Sequence, residues 1–454
     1  MIPICRRRLF EPLQMIRSGS PRVRYWKELE GSQRLSEEEL RKIQWQRLKS
    51  ILSYAYENNP FYRDRFESAG LKPSRINIPE DMARLPILTK REIREAGTGM
   101  LSNGFSSDRL LRFKTGGSTG VPLEIYVTEE CSEHRNACAR RHDRWTGWEV
   151  GEPVGALWGN PKLPRDIKSY LRNWMLDPTI YLDTMAMSVQ SVSRFAEKWK
   201  KAGPTLLFGH AHSLFLFANY IEEIGIRHVR PRAILSTSMM LLPHERKCIE
   251  RIFGVRVFDR YGCEEVSLIA SECERHEGMH LNIEHLYVEF LGEGGIPVEA
   301  GNPGKIVVTD LMNLAMPFLR YSVEDVGVPT ERKCSCGRGL PLMEKVVGRS
   351  ADFLIRKDGT RIAGISLIEN TLTRIPGFAQ MQIIQESMSE IRIDVVPAPQ
   401  YMEESGNLLR QYMKDLFGPD ISVVLKFVKN ISSEPSGKYR FSICKVPRDK
   451  SIGI

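Results

Sequence analysis

The chain has 454 residues, of which 42% are hydrophobic and 27% are charged, and its formal net charge is +9. This composition is typical of a folded protein with two or more domains, and it excludes wholesale disorder, a collagen-like chain and a small disulfide scaffold. No stretch approaches the ~20 apolar residues of a transmembrane helix, and no apolar core follows the basic residues at 6–8, so a secretory signal is not expected. The nine cysteines are odd in number and mostly scattered, which indicates free thiols and a cytoplasmic location.

Positive charge is concentrated at both ends of the chain. Residues 1–50 contain twelve basic and six acidic side chains. Residues 425–454 contain seven basic and two acidic side chains. Such ends can attract nucleic acid or an anionic membrane surface. A solvated surface with a few lysines for an anionic substrate is the simpler interpretation, because no aromatic residues are interleaved with the charges. We therefore expect no nucleic-acid partner.

The first hundred residues predict helices. Ser36, followed by Glu39 and by apolar residues at helical spacing, predicts a capped helix that ends at 58–60. Thr89 predicts the cap of a short helix over 91–95.

From residue 110 onward, short apolar runs alternate with helical patterns, which favours an α/β architecture with parallel strands. The predicted strands are 123–127, 154–158, 205–209, 233–236 and 255–259, and the predicted helices between them include 191–201 and 212–224. Residues 284–330 lack such helices and favour antiparallel strands, including 286–291 and 305–309.

The small, polar segment 347–352 predicts a domain boundary. On that basis the chain divides into an N-terminal domain over 1–346 and a C-terminal domain over 347–454. The C-terminal part has helix signals at 365–374 and 408–416 and strand signals at 381–385, 391–396 and 421–428, so it has the size and pattern of a small α+β domain.

The strongest local motif is a loop rich in glycine and hydroxyl residues, Lys-Thr-Gly-Gly-Ser-Thr-Gly-Val-Pro over 114–122, before a strand-like run. Successive backbone N–H groups and hydroxyls in such a loop can bind phosphate. It is not a Walker A loop, because no Gly-Lys-Ser/Thr opens a helix. The motif alone is also compatible with an ordinary hairpin turn.

Four further motifs follow in order: Asp-Arg-Tyr-Gly-Cys-Glu-Glu at 259–265, Arg-Tyr-Ser-Val-Glu-Asp at 320–325, Gly-Arg-Ser-Ala-Asp at 348–352 and Pro-Ser-Gly-Lys-Tyr-Arg at 435–440. With the phosphate loop, this ordered set resembles the adenylate-forming (acyl-CoA synthetase) superfamily, in the branch of phenylacetate-CoA ligase and the CapK-type proteins. The phrases at 55–63 and 85–90, Ala-Tyr-Glu-Asn-Asn-Pro-Phe-Tyr-Arg and Leu-Pro-Ile-Leu-Thr-Lys, support that branch. The resemblance covers roughly residues 40–441.

The resemblance implies a fold and a set of roles. The expected fold is a large N-terminal α/β domain with mixed sheets and a β-rich subdomain, followed by a small mobile α+β lid. The residues expected to bind ATP are Thr115, Gly116, Gly117, Ser118, Thr119 and Gly120 at the β- and γ-phosphates, Tyr261 and Gly262 at the adenine, Asp325 at the ribose, and Arg349. The expected catalytic residues are Glu265, which helps to hold Mg²⁺, and Lys438, which bridges the acid and the α-phosphate.

The sequence departs from the family pattern at three positions. Val121 stands where many relatives have lysine, Glu264 where threonine is common, and Ala351 where an aspartate often marks the hinge. These changes leave the central catalytic groups in place, although Ala351 bears on the usual domain rotation.

Cysteine and histidine residues also predict a metal site. Cys273 and His276 form a Cys-x2-His pair, and Cys334 and Cys336 form a Cys-x-Cys pair. Together they offer a Cys₃His set suited to tetrahedral, structural Zn²⁺, with His280 and His285 as alternative ligands. Ordinary buried thiols with a surface histidine are the other interpretation.

The resemblance implies an acyl pocket near the Tyr-Gly motif, for which Trp158, His210 and Ser238 are candidates. It also implies the reaction: a carboxylic acid and ATP form an acyl-adenylate and pyrophosphate, and a thiol then takes the acyl group. Coenzyme A is the expected acceptor, and a carrier-protein thiol or a sugar amine is the alternative suggested by the CapK-type relatives. A non-catalytic nucleotide-binding relative is a further alternative.

Overall fold

A computed structural model describes residues 2–114, 123–159, 161, 166–184, 187–349, 353–358, 361–363, 367, 371, 375–431, 440 and 442–446. The N-terminal helices are α1 (Ile2–Cys5), α2 (Glu11–Ser18), α3 (Arg22–Ser32), α4 (Glu37–Asn58), α5 (Pro60–Ser68) and α6 (Lys90–Ala96), with a π-helical turn at Arg6–Phe10. Later helices are α7 (Glu129–Trp145), α8 (Ile167–Leu176), α9 (Val189–Ala202), α10 (Ala211–Glu223), α11 (Pro243–Phe253) and α12 (Glu403–Phe417).

The two predicted helix caps are confirmed. Ser36 accepts a hydrogen bond from the backbone N–H of Glu39, whose side chain returns to Ser36, and α4 runs to Asn58. Thr89 and Glu92 form the same reciprocal cap at the start of α6. Each cap satisfies backbone donors that a helix N-terminus leaves unpaired.

The main sheet has eleven strands in the order β10-β11-β12-β13-β9-β8-β7-β6-β5-β3-β4. Their bounds are β3 (Val154–Trp158), β4 (Thr179–Asp183), β5 (Leu206–His210), β6 (Ala233–Thr237), β7 (Val257–Cys263), β8 (Ser267–Glu272), β9 (Met279–Leu281), β10 (Leu286–Leu291), β11 (Gly304–Asp310), β12 (Tyr321–Pro329) and β13 (Leu342–Arg349). Strands β3 to β7 pair in parallel, and β7 to β13 pair antiparallel. The predicted change from parallel to antiparallel pairing is confirmed, although both parts belong to one continuous sheet.

Three smaller sheets complete the described structure. Strands β1 (Leu111–Lys114) and β2 (Glu124–Val127) pair antiparallel, as do β14 (Phe353–Ile355) and β15 (Arg361–Ala363). In the C-terminal part, β16 (Phe378–Ser387), β17 (Glu390–Pro397), β18 (Ser422–Phe427) and β19 (Ser442–Cys444) form a four-stranded sheet in the order β18-β17-β16-β19. The predicted helix over 365–374 lies largely outside the described residues.

The apolar residues form separate cores. The largest packs α4–α6 against the antiparallel half of the main sheet, a second packs α9–α11 against the parallel half, and a third packs α12 against the C-terminal sheet. The third core is consistent with the predicted α+β unit at the C-terminus; the boundary at 346/347 stays a prediction. In the described part of the chain, no helix combines the length and apolar character needed to cross a bilayer.

Candidate active site

The Tyr261–Gly262 motif lies where β7 turns into its antiparallel partner β8. Gly262 faces Leu268 in the ladder, and a Cβ at Gly262 would lie 2.5 Å from the carbonyl oxygen of Ser267. No side chain fits into that gap, so glycine is required for the hairpin to close. The tight turn fixes the backbone of the residue that precedes it, Tyr261.

A hydrogen bond joins Tyr261 to Asp325. The tyrosine hydroxyl donates to Asp325 Oδ2 at 2.7 Å, although three strands separate β7 from β12 in the sheet order. Asp325 also faces Arg349 in the register of β12 and β13. The structure therefore pairs the backbones of Asp325 and Arg349, two residues predicted to bind nucleotide, and it brings the ring of Tyr261 to Asp325 through its hydroxyl.

Glu265 is buried beside the same hairpin. The hydroxyl of Tyr321 donates to its Oε1 at 2.9 Å, and the ammonium of Lys90 lies 4.0 Å from that oxygen. Lys90 also forms an ion pair with Glu324 at 2.9 Å. In the sequence, Lys90 is only the last residue of the segment 85–90 that supports the family resemblance. Neither Lys90 nor Tyr321 was predicted as a site residue. Their positions follow from the docking of the chain at Leu88 against Tyr321.

A buried ion pair supports the backbone at Glu265. Arg135 on α7 donates from Nη2 both to the main-chain oxygen of Glu265 and to Asp310 Oδ2, each at 2.8 Å. Burial acts to raise the pKa of Asp310, but His285 and Arg135 together hold it well below its ordinary value. Removal of one partner from such a pair would leave an uncompensated buried charge. The bond from Arg135 thus fixes the backbone of the loop that carries Glu265.

The acyl-pocket candidates lie at the carboxyl ends of neighbouring parallel strands. Trp158 ends β3, His210 ends β5, and Ser238 follows β6 with a left-handed φ of 65°. The ring centroids of Trp158 and His210 are 4.3 Å apart. Ligands of open α/β sheets bind at this edge, and β7 carries Tyr261 toward it. The three residues predicted for the acyl pocket therefore lie at the same edge of the sheet as Tyr261.

A cavity of about 240 Å³ extends from Trp158 along one face of the sheet. Its lining is largely apolar and comes from β3, β4 and β5: Val154, Ala156, Trp158, Thr179, Tyr181 and Phe208. The rings of Trp158 and Phe208 stack with centroids 5.5 Å apart.

Two predicted elements lie outside the described residues, namely Thr115–Gly120 and Lys438. The strands that flank the first of them pair antiparallel, with Lys114 opposite Glu124. Both stay predictions.

The cysteine cluster forms with His280, named above as an alternative ligand, in place of His276. Ligand atoms of Cys273, His280, Cys334 and Cys336 all lie within 4.8 Å of one another. Cys273 Sγ and Cys334 Sγ are 3.5 Å apart, and Cys336 Sγ is 3.4 Å from His280 Nε2. These separations are close to those expected between ligands of a tetrahedral zinc ion. Nδ1 of His280 lies 2.9 Å from the carbonyl oxygen of Leu340, a contact that leaves Nε2 free to bind a metal.

His276, predicted as the fourth ligand, lies outside this cluster. His276 has a left-handed φ of 54°, its Nδ1 lies 3.0 Å from Glu272 Oε2, and its ring packs against Phe258. His280 instead lies on β9 and pairs with Leu342 at the start of β13, a few residues after Cys336 in the chain. Spacing along the chain could not reveal this, because strand pairing decides which imidazole meets the thiols.

The buried carboxyl of Asp259 is expected to make the stability of the folded protein depend on pH. Burial, followed by the charge of Glu272, raises its pKa to about 7 from an ordinary value near 3.8. Between pH 4 and 7 the folded state then holds a proton that the unfolded state has lost. The contribution of Asp259 to the free energy of unfolding therefore falls as the pH rises, by up to ~4 kcal/mol. We expect Asp259→Asn, which mimics the protonated form, to gain stability over the natural protein at pH 8 and not at pH 4. Urea unfolding at both pH values measures the difference.

The exposed Asp415→Asn is the matched control for that substitution. It should change the unfolding midpoint equally little at both pH values. A stability difference between Asp259→Asn and the natural protein that is the same at pH 4 and pH 8 would contradict the raised pKa.

Comparison with known structures defines the class of this fold. The chain superimposes on 2-hydroxyisobutyryl-CoA ligase, crystallised in its postadenylation state with R3-HIB-AMP, with a TM-score of 0.71 over 89% of each chain, at 20% identity. The fold is that of the adenylate-forming ligases, as the motifs predicted.

Sequence comparison then gives the particular relatives. The chain is 26% identical to phenylacetate-coenzyme A ligase of Escherichia coli over 331 residues, which are 70% of this chain and 73% of the relative. It is 23% identical to protein CapK of Staphylococcus aureus over 418 residues, 89% of each chain. Residues 354–445 match the family model of the CapK C-terminal domain. The chain is thus a relative of phenylacetate-CoA ligase and CapK, which confirms the predicted resemblance.

Proposed function

We propose that this protein activates a small carboxylic acid with ATP, forming an acyl-adenylate and pyrophosphate, and then transfers the acyl group to the thiol of coenzyme A. The observation that carries the proposal is the pairing of Tyr261 with Asp325 beside the buried Glu265, in a chain with the fold of the adenylate-forming ligases. The same residues occupy the family motifs from which their roles were predicted.

Each nucleotide group has a proposed partner. Asp325 accepts hydrogen bonds from the ribose hydroxyls, for which a carboxylate offers two acceptor oxygens. The ring of Tyr261 stacks on the adenine, in an orientation that its bond to Asp325 already holds. Arg349 contacts the nucleotide, and backbone N–H groups of Thr115–Gly120 bind the β- and γ-phosphates.

Three groups are proposed to supply positive charge at the phosphates. Glu265 would help to hold Mg²⁺, which neutralises charge that develops on the departing pyrophosphate. The ammonium of Lys90, 4.0 Å from Glu265, is close enough to the proposed metal ligand to contribute to the same field. Lys438 bridges the acid's carboxylate and the α-phosphate and so offsets the repulsion between two anions as they approach each other.

The acyl group occupies the apolar cavity beside Trp158. At about 240 Å³ the cavity is smaller than the roughly 300–1,000 Å³ of most ligand sites, so a short or compact acid fits best. His210 and Ser238 supply polar groups at the strand ends, where the carboxylate must face the nucleotide.

Structural Zn²⁺ is the proposed occupant of the cluster formed by Cys273, His280, Cys334 and Cys336. Four protein ligands leave no open coordination position, so the metal would tie β9 to the segment before β13 and take no part in the reaction. The free thiols elsewhere and the need for ATP and coenzyme A favour the cytoplasm as the place of the reaction.

A neutral replacement of the proposed metal ligand tests its role. We expect Glu265→Gln to keep the hydrogen bond from Tyr321 but to lower the rate of adenylation by about 10²-fold, because a carboxylate on the metal is lost. The Mg²⁺ concentration for half-maximal rate should rise. Exposed Glu299→Gln is the matched control, and an unchanged Mg²⁺ dependence in Glu265→Gln would remove Glu265 from the metal site.

The acceptor is tested by product analysis. The protein is incubated with ATP, Mg²⁺ and panels of aryl, short aliphatic, hydroxy and amino acids, with and without coenzyme A, and mass spectrometry identifies the products. Acyl-CoA supports the proposal. Acyl-adenylate that accumulates without transfer to coenzyme A favours the alternative acceptors suggested by the relationship to CapK, a carrier-protein thiol or a sugar amine. Nucleotide binding with no product for any acid favours a non-catalytic relative.

A further inference from the structure

Large apolar side chains are exposed on two neighbouring helical segments. We define them as the apolar surface, and its members are Ile4, Leu9, Leu13 and Ile16 of residues 2–18 and Ile167, Tyr170, Leu171 and Trp174 of α8. Ile16 is 78% exposed and Ile167 is 80% exposed. Single exposed hydrophobic residues are normal, but a group of eight on adjoining elements marks an interaction site.

The exposure does not arise because the N-terminal segment is detached. The guanidinium of Arg6 is buried, donates to the carbonyl oxygens of Trp174 and Gly151, and lies over the Trp174 ring. On the inner face, Met15 is buried, and a Cβ at Gly151 would clash with the backbone at Pro3. One face of the segment is therefore packed on the protein, and α8 is joined to it through Arg6.

The apolar side chains are arranged as stripes. In α8 they occupy positions 167, 170, 171 and 174, which share one helix face at the i, i+3, i+4 and i+7 spacing. In the N-terminal segment, Leu9, Leu13 and Ile16 follow the same spacing. Two outward apolar stripes on adjoining short helices form a surface that can lie flat against an apolar layer.

Unpaired positive charge borders these stripes. Arg8, Arg17, Lys168 and Arg172 are exposed, and among the described residues no carboxylate forms an ion pair with them. Glu11 and Glu149 are neutralised, because Glu11 pairs with Arg140, and Glu149 pairs with Arg7 and Arg144. Asp166 and Asp177, at the two ends of α8, stay exposed, so in the described part of this border four free basic side chains face two free carboxylates. The border is thus cationic.

We propose that this apolar surface binds the protein reversibly to an anionic phospholipid bilayer. Aliphatic side chains would enter the outer acyl region, Trp174 and Tyr170 would lie at the headgroup level that indole and phenol rings prefer, and the four basic residues would face anionic headgroups. A protein groove would match the apolar stripe alone, whereas a border with more free basic groups than free carboxylates matches an anionic plane. The proposal goes beyond the adenylating activity and does not depend on it.

Co-sedimentation with vesicles tests the proposal on the full-length protein. We expect binding to vesicles of phosphatidylcholine with one quarter phosphatidylglycerol and little binding to pure phosphatidylcholine, with a loss of binding as salt rises. Leu13→Asp with Ile16→Asp should weaken the binding by at least about tenfold, because two inserted side chains become charged. Arg17→Gln with Lys168→Gln and Arg172→Gln should weaken it by about a hundredfold, since each basic residue contributes roughly a factor of five.

Matched controls lie elsewhere on the surface. Ile78→Asp with Ile296→Asp changes two side chains that are also exposed, and Lys72→Gln with Arg75→Gln removes two exposed charges; neither pair should affect binding. The triple charge variant keeps the test valid if the aspartate variant fails to fold. Absence of the protein from anionic vesicles at low salt would overturn the proposal. So would a dimer in sedimentation velocity that Leu13→Asp with Ile16→Asp dissociates, because the surface would then be an interface between two copies.

Discussion

Replacement of Lys438 by alanine is expected to lower the rate of acyl-adenylate formation by on the order of 10²–10³-fold, while ATP binds with nearly unchanged affinity. The expected loss is large because the lysine acts where a carboxylate attacks a phosphate. Two anions meet there, and the ammonium is proposed to bridge them only as the reaction proceeds. Acid-dependent pyrophosphate release measures the rate, and calorimetry with ATP measures binding.

Lys429→Ala is the control for this substitution. It removes an exposed lysine from the same basic C-terminal stretch, and we expect the natural rate. A Lys438→Ala protein that forms acyl-adenylate at the natural rate would contradict the assignment, because a surface lysine in a basic tail would then explain the residue equally well.

Loss of a cysteine from the proposed zinc cluster is expected to have the largest effect on stability. The purified protein should carry one zinc ion per chain, and Cys336→Ser should carry almost none. The unfolding temperature should fall by roughly 10 °C or more, because a structural zinc contributes several kcal/mol and each kcal/mol corresponds to about 2–4 °C in a large domain. Elemental analysis and thermal unfolding, with and without a chelator, measure both effects.

Two comparisons make this prediction specific. His280→Ala should lose the metal and His276→Ala should keep it, because only the Nε2 atom of His280 faces the thiols. Cys248→Ser changes a cysteine outside the cluster and should keep both the zinc and the stability. A protein that is folded and metal-free after preparation without chelators, or that loses zinc with His276→Ala alone, would contradict the site.

Local features of the fold were predictable from the sequence. The caps at Ser36 and Thr89 could be identified because serine or threonine three residues before glutamate satisfies the free backbone donors of a helix start. The strands Val154–Trp158 and Leu286–Leu291 were predicted with their observed bounds because both are short apolar runs between polar segments. Each of these signals depends on neighbouring residues alone.

Features that depend on distant contacts were not predictable. Lys90 reaches Glu265 because the segment at Leu88 docks against Tyr321, more than two hundred residues later. His280 meets Cys336 because β9 pairs with β13. The predicted site residues were found through the order of family motifs, whereas the groups that support them, such as Arg135 behind Glu265, carry no motif of their own.

The central claim is that the protein forms an acyl-adenylate, and exchange of labelled pyrophosphate into ATP tests it most directly. Adenylation is reversible, so label should enter ATP only when an accepted acid is present, and it should do so without coenzyme A. Lys438→Ala should abolish the exchange. Release of ADP and phosphate in place of AMP and pyrophosphate, or absence of exchange with every acid while ATP still binds, would contradict the claim.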